Sequence, residues 1–275
     1  MKHYFWLILC AASAVQAAPA NWQEPATGMA FVSVAKGCFQ MGTEQHVPLK
    51  PNVFWERIRH DAPLSEDEGP RHEVCVDAFW MGKLEVRTGE WQKVMDGEPP
   101  ANPGLPVASV TLTQAREFAE RLTKLSEGKE RFRLPTEAEW EYACRAGAKS
   151  EELAIGGELA GQAWYGVRGS YRPQPSETGK LAANAFGLHD MLGNVWEWTE
   201  DSYLPDGYAR HALYNPKVSA ATPQQVIRGG AFRTEPRQMR CAMRSHYDAA
   251  QHLDSIGFRL VREASADKTA KTKKP

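Results

Sequence analysis

The side chains best equipped for chemistry in this 275-residue chain are five cysteines, Cys10, Cys38, Cys75, Cys144 and Cys241. A thiolate can attack an electrophile or bind a soft metal ion, and a structural disulfide can do neither. The compartment decides between them. Residues 1–18 carry Lys2, then the apolar run Tyr4-Phe5-Trp6-Leu7-Ile8-Leu9, and small residues at Val15 and Ala17 that suit cleavage after Ala17 or Ala18. That is the pattern of a signal peptide, with an apolar core too short to span a bilayer. A lipid anchor on Cys10 is the weaker reading, because Leu9 stands where a small residue is wanted. Cleavage removes Cys10 and leaves Cys38, Cys75, Cys144 and Cys241 in an oxidising periplasmic or secreted setting, where two disulfides are expected. Spacing alone leaves three pairings open.

Other chemistry-bearing groups carry less. His246 and His252 are separated by five residues in a loop-like stretch and read as surface histidines. Glu235 lies between Arg233 and Arg237 on a turn, where a solvated ion-pair cluster of small energetic weight is the simpler reading. Loss of Lys2 leaves 32 basic against 34 acidic residues, so net charge gives no reason to expect nucleic acid or anionic lipid as a partner. Lys268, Lys271, Lys273 and Lys274 lie in a segment without apolar periodicity, so residues 263–275 read as a disordered basic tail.

About 250 mature residues are enough to bury one large core. Thr111-Leu112-Thr113-Gln114 has the form of a capping box, followed by Ala115, Phe118, Ala119, Leu122 and Leu125 at helical spacing and a stop before Gly128. Thr136-Glu137-Ala138-Glu139 opens a second helix that turns Trp140, Ala143 and Cys144 inward before Gly147. Residues 29–34 and 38–41 predict two short strands joined by Ala35-Lys36-Gly37, and residues 73–81 a third. Pairing of the second with the third would bring Cys38 near Cys75. Residues 43–71, with four prolines and the acidic run Glu66-Asp67-Glu68, read as a long surface excursion. The second half is rich in Gly, Pro, Asn and Trp, with brief apolar runs at 225–228 and 257–261. The expectation is an α+β fold dominated by loops, with two helices and short strands. Ordering so many loops costs backbone entropy of roughly 1–2 kcal/mol per residue, which disulfides or a bound metal help to offset.

Several longer motifs occur in a characteristic order. They are Phe39-Gln40-Met41-Gly42, Gly69-Pro70-Arg71-His72-Glu73-Val74, Glu85-Val86, Arg133-Leu134-Pro135-Thr136-Glu137-Ala138-Glu139-Trp140-Glu141-Tyr142-Ala143, Asn184-Ala185-Phe186-Gly187-Leu188, Gly193-Asn194-Val195-Trp196-Glu197-Trp198, Arg228-Gly229-Gly230 and Gly257-Phe258-Arg259. Over residues 28–262 the chain resembles the formylglycine-generating enzymes, the sulfatase-modifying factors. The resemblance implies a variant of the C-type-lectin-like fold, loop-rich with few helices. Active members oxidise a substrate cysteine with molecular oxygen and copper held by two thiolates. By resemblance those thiolates lie between the Gly-Gly turn and the Arg-Cys-Ala segment. Here Gly230 and Cys241 enclose no cysteine, so the resemblance does not carry copper across. It also implies that Cys241 is the family's structural cysteine, with Cys144 as its partner.

Other residues are assigned the same way. The Asn194 and Glu197 side chains and the Leu192 and Val195 carbonyls match a structural calcium site, and a hard cation of that kind takes oxygen ligands at about 2.3–2.6 Å. Trp198, Arg244 and Ser245 match positions that line the family's substrate groove, where a guanidinium beside an aromatic ring would suit a carboxylate-bearing ligand. The His-x-x-x-His-x-Glu triad of the related iron sulfoxide synthases does not occur. Three functions follow as expectations: an accessory or maturation protein that binds a periplasmic polypeptide or metabolite, a non-standard oxidase of the same family, and a calcium-dependent lectin-like envelope-binding module.

Overall fold

Two threonines start helices where their capping boxes place them, and a third helix arises without such a box in the sequence. In the computed structural model, which describes residues 20–43, 66–147, 159–166 and 174–263, the helices are α1 (Thr88–Met95), α2 (Leu112–Leu125) and α3 (Glu137–Arg145). Thr111 Oγ1 accepts from the Gln114 amide at 3.2 Å while Gln114 Oε1 accepts from the Thr111 amide at 2.9 Å. Thr136 and Glu139 make the same reciprocal pair. These bonds satisfy amides that have no partner inside the first helical turn. In α1 the N-terminal position is Arg87, a residue type that does not signal a cap, and the Glu90 carboxylate does the work by accepting from the Arg87 amide at 2.8 Å. That substitution of roles hid α1 from the sequence.

Eleven short strands among the described residues form three sheets. They are β1 (Asn21–Gln23), β2 (Ala30–Val34), β3 (Gly37–Met41), β4 (His72–Val76), β5 (Phe79–Gly82), β6 (Phe132–Arg133), β7 (Trp196–Ser202), β8 (Gln224–Arg228), β9 (Arg244–Asp248), β10 (Ile256–Gly257) and β11 (Val261–Glu263). One sheet runs β1-β2-β5-β11-β6, a second runs β10-β7-β8-β9, and β3 pairs with β4 alone. The stretch expected as one strand at 73–81 is divided between β4 and β5, which belong to different sheets. β3 and β4 pair antiparallel with Cys38 opposite Cys75, as the strand reading implied. β11 inserts between β5 and β6, so the end of the domain closes a sheet begun by its first strands. The result is the α+β, loop-rich architecture expected, with three helices in place of two.

α2 buries Leu112, Ala115, Phe118, Ala119 and Leu122 against one apolar cluster that includes Phe31, Phe132, Trp198 and Phe258. α3 belongs to a second cluster, with Trp140, Tyr142, Ala143 and Cys144 packed among Met41, Phe79, Met81 and Tyr208. Every residue of α3 is buried, including Glu137, Glu139, Glu141 and Arg145. Buried charges need partners, and α3 is therefore where the polar interior concentrates. No helix of the described residues is long and apolar enough to cross a membrane. The leader expected at 1–18, most of the excursion expected at 43–71 and the tail expected at 263–275, except Glu263, which ends β11, lie outside the described residues.

Candidate functional site

All four cysteines among the described residues are paired, Cys38 with Cys75 and Cys144 with Cys241. The segment from Gly230 to Cys241 holds a turn in place of thiolates. Gly229 and Gly230 have φ of 96° and 78°, left-handed backbone that glycine adopts without the strain a side chain would bring. Arg233 donates to both carboxylate oxygens of Asp254 at 2.9 and 2.8 Å and lies over the Phe232 ring. Its partner thus comes from the loop before β10, not from within the Arg233, Glu235 and Arg237 group.

The groove expected at Trp198, Arg244 and Ser245 does not form around those side chains. Trp198 is fully buried and its indole N–H donates to the Val110 carbonyl at 2.9 Å. Arg244 is 2% exposed, donates to both oxygens of Glu137 at 2.8 and 2.9 Å, and also reaches the Asp67 carbonyl at 2.9 Å. Ser245 is half-buried on β9. Adjacent strand residues point to opposite faces of a sheet, so a buried Arg244 and its neighbour Ser245 cannot line one surface together. The correction is that Trp198 and Arg244 organise the interior.

The loop expected to take calcium has its side-chain oxygens already engaged. Asn194, at φ 59°, accepts from the Ser176 amide at 2.9 Å and donates to Glu85 at 2.6 Å. Both Glu197 oxygens accept from Arg259 at 2.7 Å, and Oε2 also accepts from the Trp140 indole at 2.7 Å. Leu192 and Val195 are buried beside them. Glu85, Asp190 and Glu197 gather around Arg259, so acidic groups outnumber guanidinium groups here among the described residues. Burial, then Asp190 and Glu197, push the Glu85 carboxyl well above its usual range. Burial does the same to Asp190. Glu85 and Asp190 escaped the sequence reading because each looks like an ordinary loop acid.

Around α3 a second polar centre is almost fully ion-paired. Glu141 accepts from the Gly42 amide at 2.9 Å, from Arg145 at 2.8 and 2.6 Å, and from Arg228 at 2.5 Å. Burial works to raise the Glu141 carboxyl, but Arg145 and Arg228 outweigh it and hold it below its usual range. Arg240 forms a two-bonded pair with Glu68 at 2.7 Å. Asp201 is different, for its oxygens accept from the Glu137 and Val218 amides at 2.8 and 2.7 Å and no cation contacts it among the bonds of the described residues. Burial and the nearby Glu137 push Asp201 up to about 7. His211 lies beside it and is pushed down to about 4, mainly by burial.

An open cleft of about 520 Å³ among the described residues is lined by Asp77, Phe79, Arg133, Glu139, Glu200 and Lys217, with Thr136, Asn215 and Glu263 on its walls. It carries charges of both signs and shares no residue with the Gly230–Cys241 turn. Arg133 reaches Glu139 and Glu263, and Lys217 reaches Glu200 at 3.1 Å.

Residues 16–264 match the sulfatase-modifying factor enzyme 1-like domain, so the chain belongs to that family of formylglycine-generating-enzyme-like proteins. It is 36% identical over 155 residues to a formylglycine-generating enzyme of Mycobacterium tuberculosis, a match that covers 47% of this chain and 50% of that protein. The aligned region is therefore about half the length of that relative. A protein named chaperone LppX, from Paenibacillus barcinonensis, is 27% identical over 213 residues, covering 58% of this chain and 76% of its own length. Among solved structures, PvdO from Pseudomonas aeruginosa superposes with a TM-score of 0.72 at 25% identity, covering 89% of this chain and 98% of that one.

Proposed function

We propose that this protein is an exported accessory or maturation factor that holds a polypeptide or small-molecule partner and does not itself oxidise a cysteine through copper. The observation that carries this reading is the pairing of Cys38, Cys75, Cys144 and Cys241 into two disulfides, which leaves the Gly230–Cys241 turn without the thiolates that monovalent copper requires. The likeness to a relative named as a chaperone supports the accessory role. Disulfides and the leader-like residues 1–18 support a periplasmic or secreted location. The mixed-charge cleft beside the N-terminus of α3 is the surface best formed for a partner that carries both charge signs, as a polypeptide does.

Two measurements test the reading. Incubation of the copper-loaded protein with a cysteine-containing sulfatase peptide in air should give no formylglycine by mass spectrometry, and aldehyde formation would overturn the proposal. A photo-crosslinker placed near Lys217 should trap one defined polypeptide or metabolite in the native compartment. Lys217→Glu reverses a cleft charge and is expected to weaken retention of that partner several-fold. Stability should change by no more than about 0.5 kcal/mol, because the Lys217–Glu200 pair is partly exposed. Equal retention by the variant would remove the cleft from the proposal.

A structural calcium ion at the 190–197 loop is part of the same proposal. It would be held by the Asn194 and Glu197 side chains and the Leu192 and Val195 carbonyls, and would offset the charge of Glu85 and Asp190. Calcium in millimolar excess should raise the melting temperature and chelator should lower it, by several degrees, as expected when a ligand binds only the folded state. Identical melting curves in calcium and in chelator would exclude the site.

A further inference from the structure

His211 sits at the edge of the polar centre formed by α3, β7 and the short 3-10 turn at Gly207–Arg210. Its ring bonds dictate its tautomer. His72 Nδ1 lies 2.8 Å from the Pro70 carbonyl, which can only accept, so the proton is on His72 Nδ1. In that neutral tautomer the Nε2 of His72 is a bare acceptor. The 2.9 Å bond from His72 Nε2 to His211 Nδ1 must then take its proton from His211. A neutral His211 is left with a lone pair on Nε2. That atom is buried and has no hydrogen-bond partner.

One ligand atom each from His211, Glu137 and Asp201 lie within 4.8 Å of one another. Glu137 and Asp201 are fully buried. His211 thus stands beside two buried carboxylates, and its buried Nε2 makes no hydrogen bond to either. A buried acceptor nitrogen without a donor beside carboxylates is an arrangement that a bound cation would satisfy. Glu137 is already neutralised by Arg244, and Arg228 Nε approaches it at 3.8 Å, but Asp201 is bound only by two backbone amides. Asp201 therefore has no side-chain cation in direct contact among the bonds of the described residues. An imidazole nitrogen and carboxylate oxygens are ligand types that zinc takes at about 2.0–2.2 Å. The Pro70–His72–His211 chain is also the outer support that metal-ligating histidines commonly have, with the second ring nitrogen donating to a neighbour.

We propose that His211 Nε2, Asp201 and Glu137 bind a divalent transition-metal ion of the Zn²⁺ type, with His72 as the positioning residue that sets the His211 tautomer. This site is separate from the 190–197 loop and independent of the proposed function. His211 is only partly buried, so an ion can enter from solvent. Its role would be to close the polar centre between β7 and the Gly207–Arg210 turn.

The test uses the full mature protein with intact disulfides, stripped with chelator and titrated with Zn²⁺ at about pH 8 in calorimetry, with metal content measured after dialysis. One ion per chain is expected. X-ray absorption at the zinc edge should report one imidazole nitrogen with oxygen neighbours. His211→Ala should abolish the site and His72→Ala should weaken it about 10–100-fold. His211 is near the surface, so its variant can be checked for native folding by circular dichroism before titration. Asp190→Asn, in the other carboxylate group, should leave zinc affinity unchanged. Absence of zinc binding, or binding undiminished in His211→Ala, would overturn the proposal, as would a high-resolution structure grown with zinc that shows only water between His211 and Asp201.

Discussion

Glu141→Ala should cost about 3–5 kcal/mol of folding stability, the range for breaking a buried ion pair by removing one partner. The side chain is fully buried and gathers Arg145, Arg228 and the Gly42 amide, with Tyr208 at 3.4 Å. Alanine leaves both guanidinium groups inside with less compensation. Arg228 suffers most, because it is 0% exposed and its remaining acceptors are the Cys241, Ala242 and Met243 carbonyls. Chemical denaturation would show the midpoint falling without a change in slope if the native fold persists. Glu141→Gln should lose less, since an amide oxygen still accepts from one guanidinium.

The same carboxylate sets an acid limit. Its folded-state value lies below the usual one, so its stabilisation is complete above the ordinary glutamate value of about 4.3 and is lost as pH falls from there through the lowered value. Below that window both states are protonated and the contribution is gone. In Glu141→Gln this acid-dependent step should disappear from a plot of melting temperature against pH, and an unchanged step would assign it to another group.

Arg259→Ala is the second large effect, again about 3–5 kcal/mol at neutral pH. Arg259 is the guanidinium that faces Glu85, Asp190 and Glu197, and it also donates to the Gly82 and His189 carbonyls at 3.1 and 3.0 Å. Without it three buried acids repel one another. Glu85 and Asp190 are raised already, so the cost they impose is absent below the ordinary carboxyl values and grows as pH rises through their raised ones. Removal of Arg259 pushes these groups further up. The variant should therefore recover toward the parent as pH falls, opposite in sign to the Glu141 effect. A deficit that stays constant from acid to neutral pH would show that the lost carbonyl bonds dominate.

These two networks mark the limit of what the sequence conveys. Helix starts at Thr111 and Thr136 were legible because a capping box is a local arrangement, closed within four residues. The face of α2 was legible because its apolar residues repeat at helical spacing. The order of long motifs was enough to mark the family. The Cys38–Cys75 pairing followed from two adjacent strands, one residue from each.

The candidate sites were less legible. Trp198 and Arg244 looked like surface because an arginine beside an aromatic ring fits either side of a protein boundary, and only the packed fold puts both inside. α3 looked amphipathic because glutamates are ordinarily solvated. Its partners come from far along the chain, Arg228 lying 87 residues beyond Glu141 and Arg244 lying 107 beyond Glu137. His211 gave no signal, since its meaning depends on His72, which lies 139 residues earlier. The sequence by itself determined the helix caps, the apolar faces and the family. Tertiary structure decided which charges are buried and which groups they meet, because the cost of burying a charge is offset only by a partner that folding brings within a few ångströms.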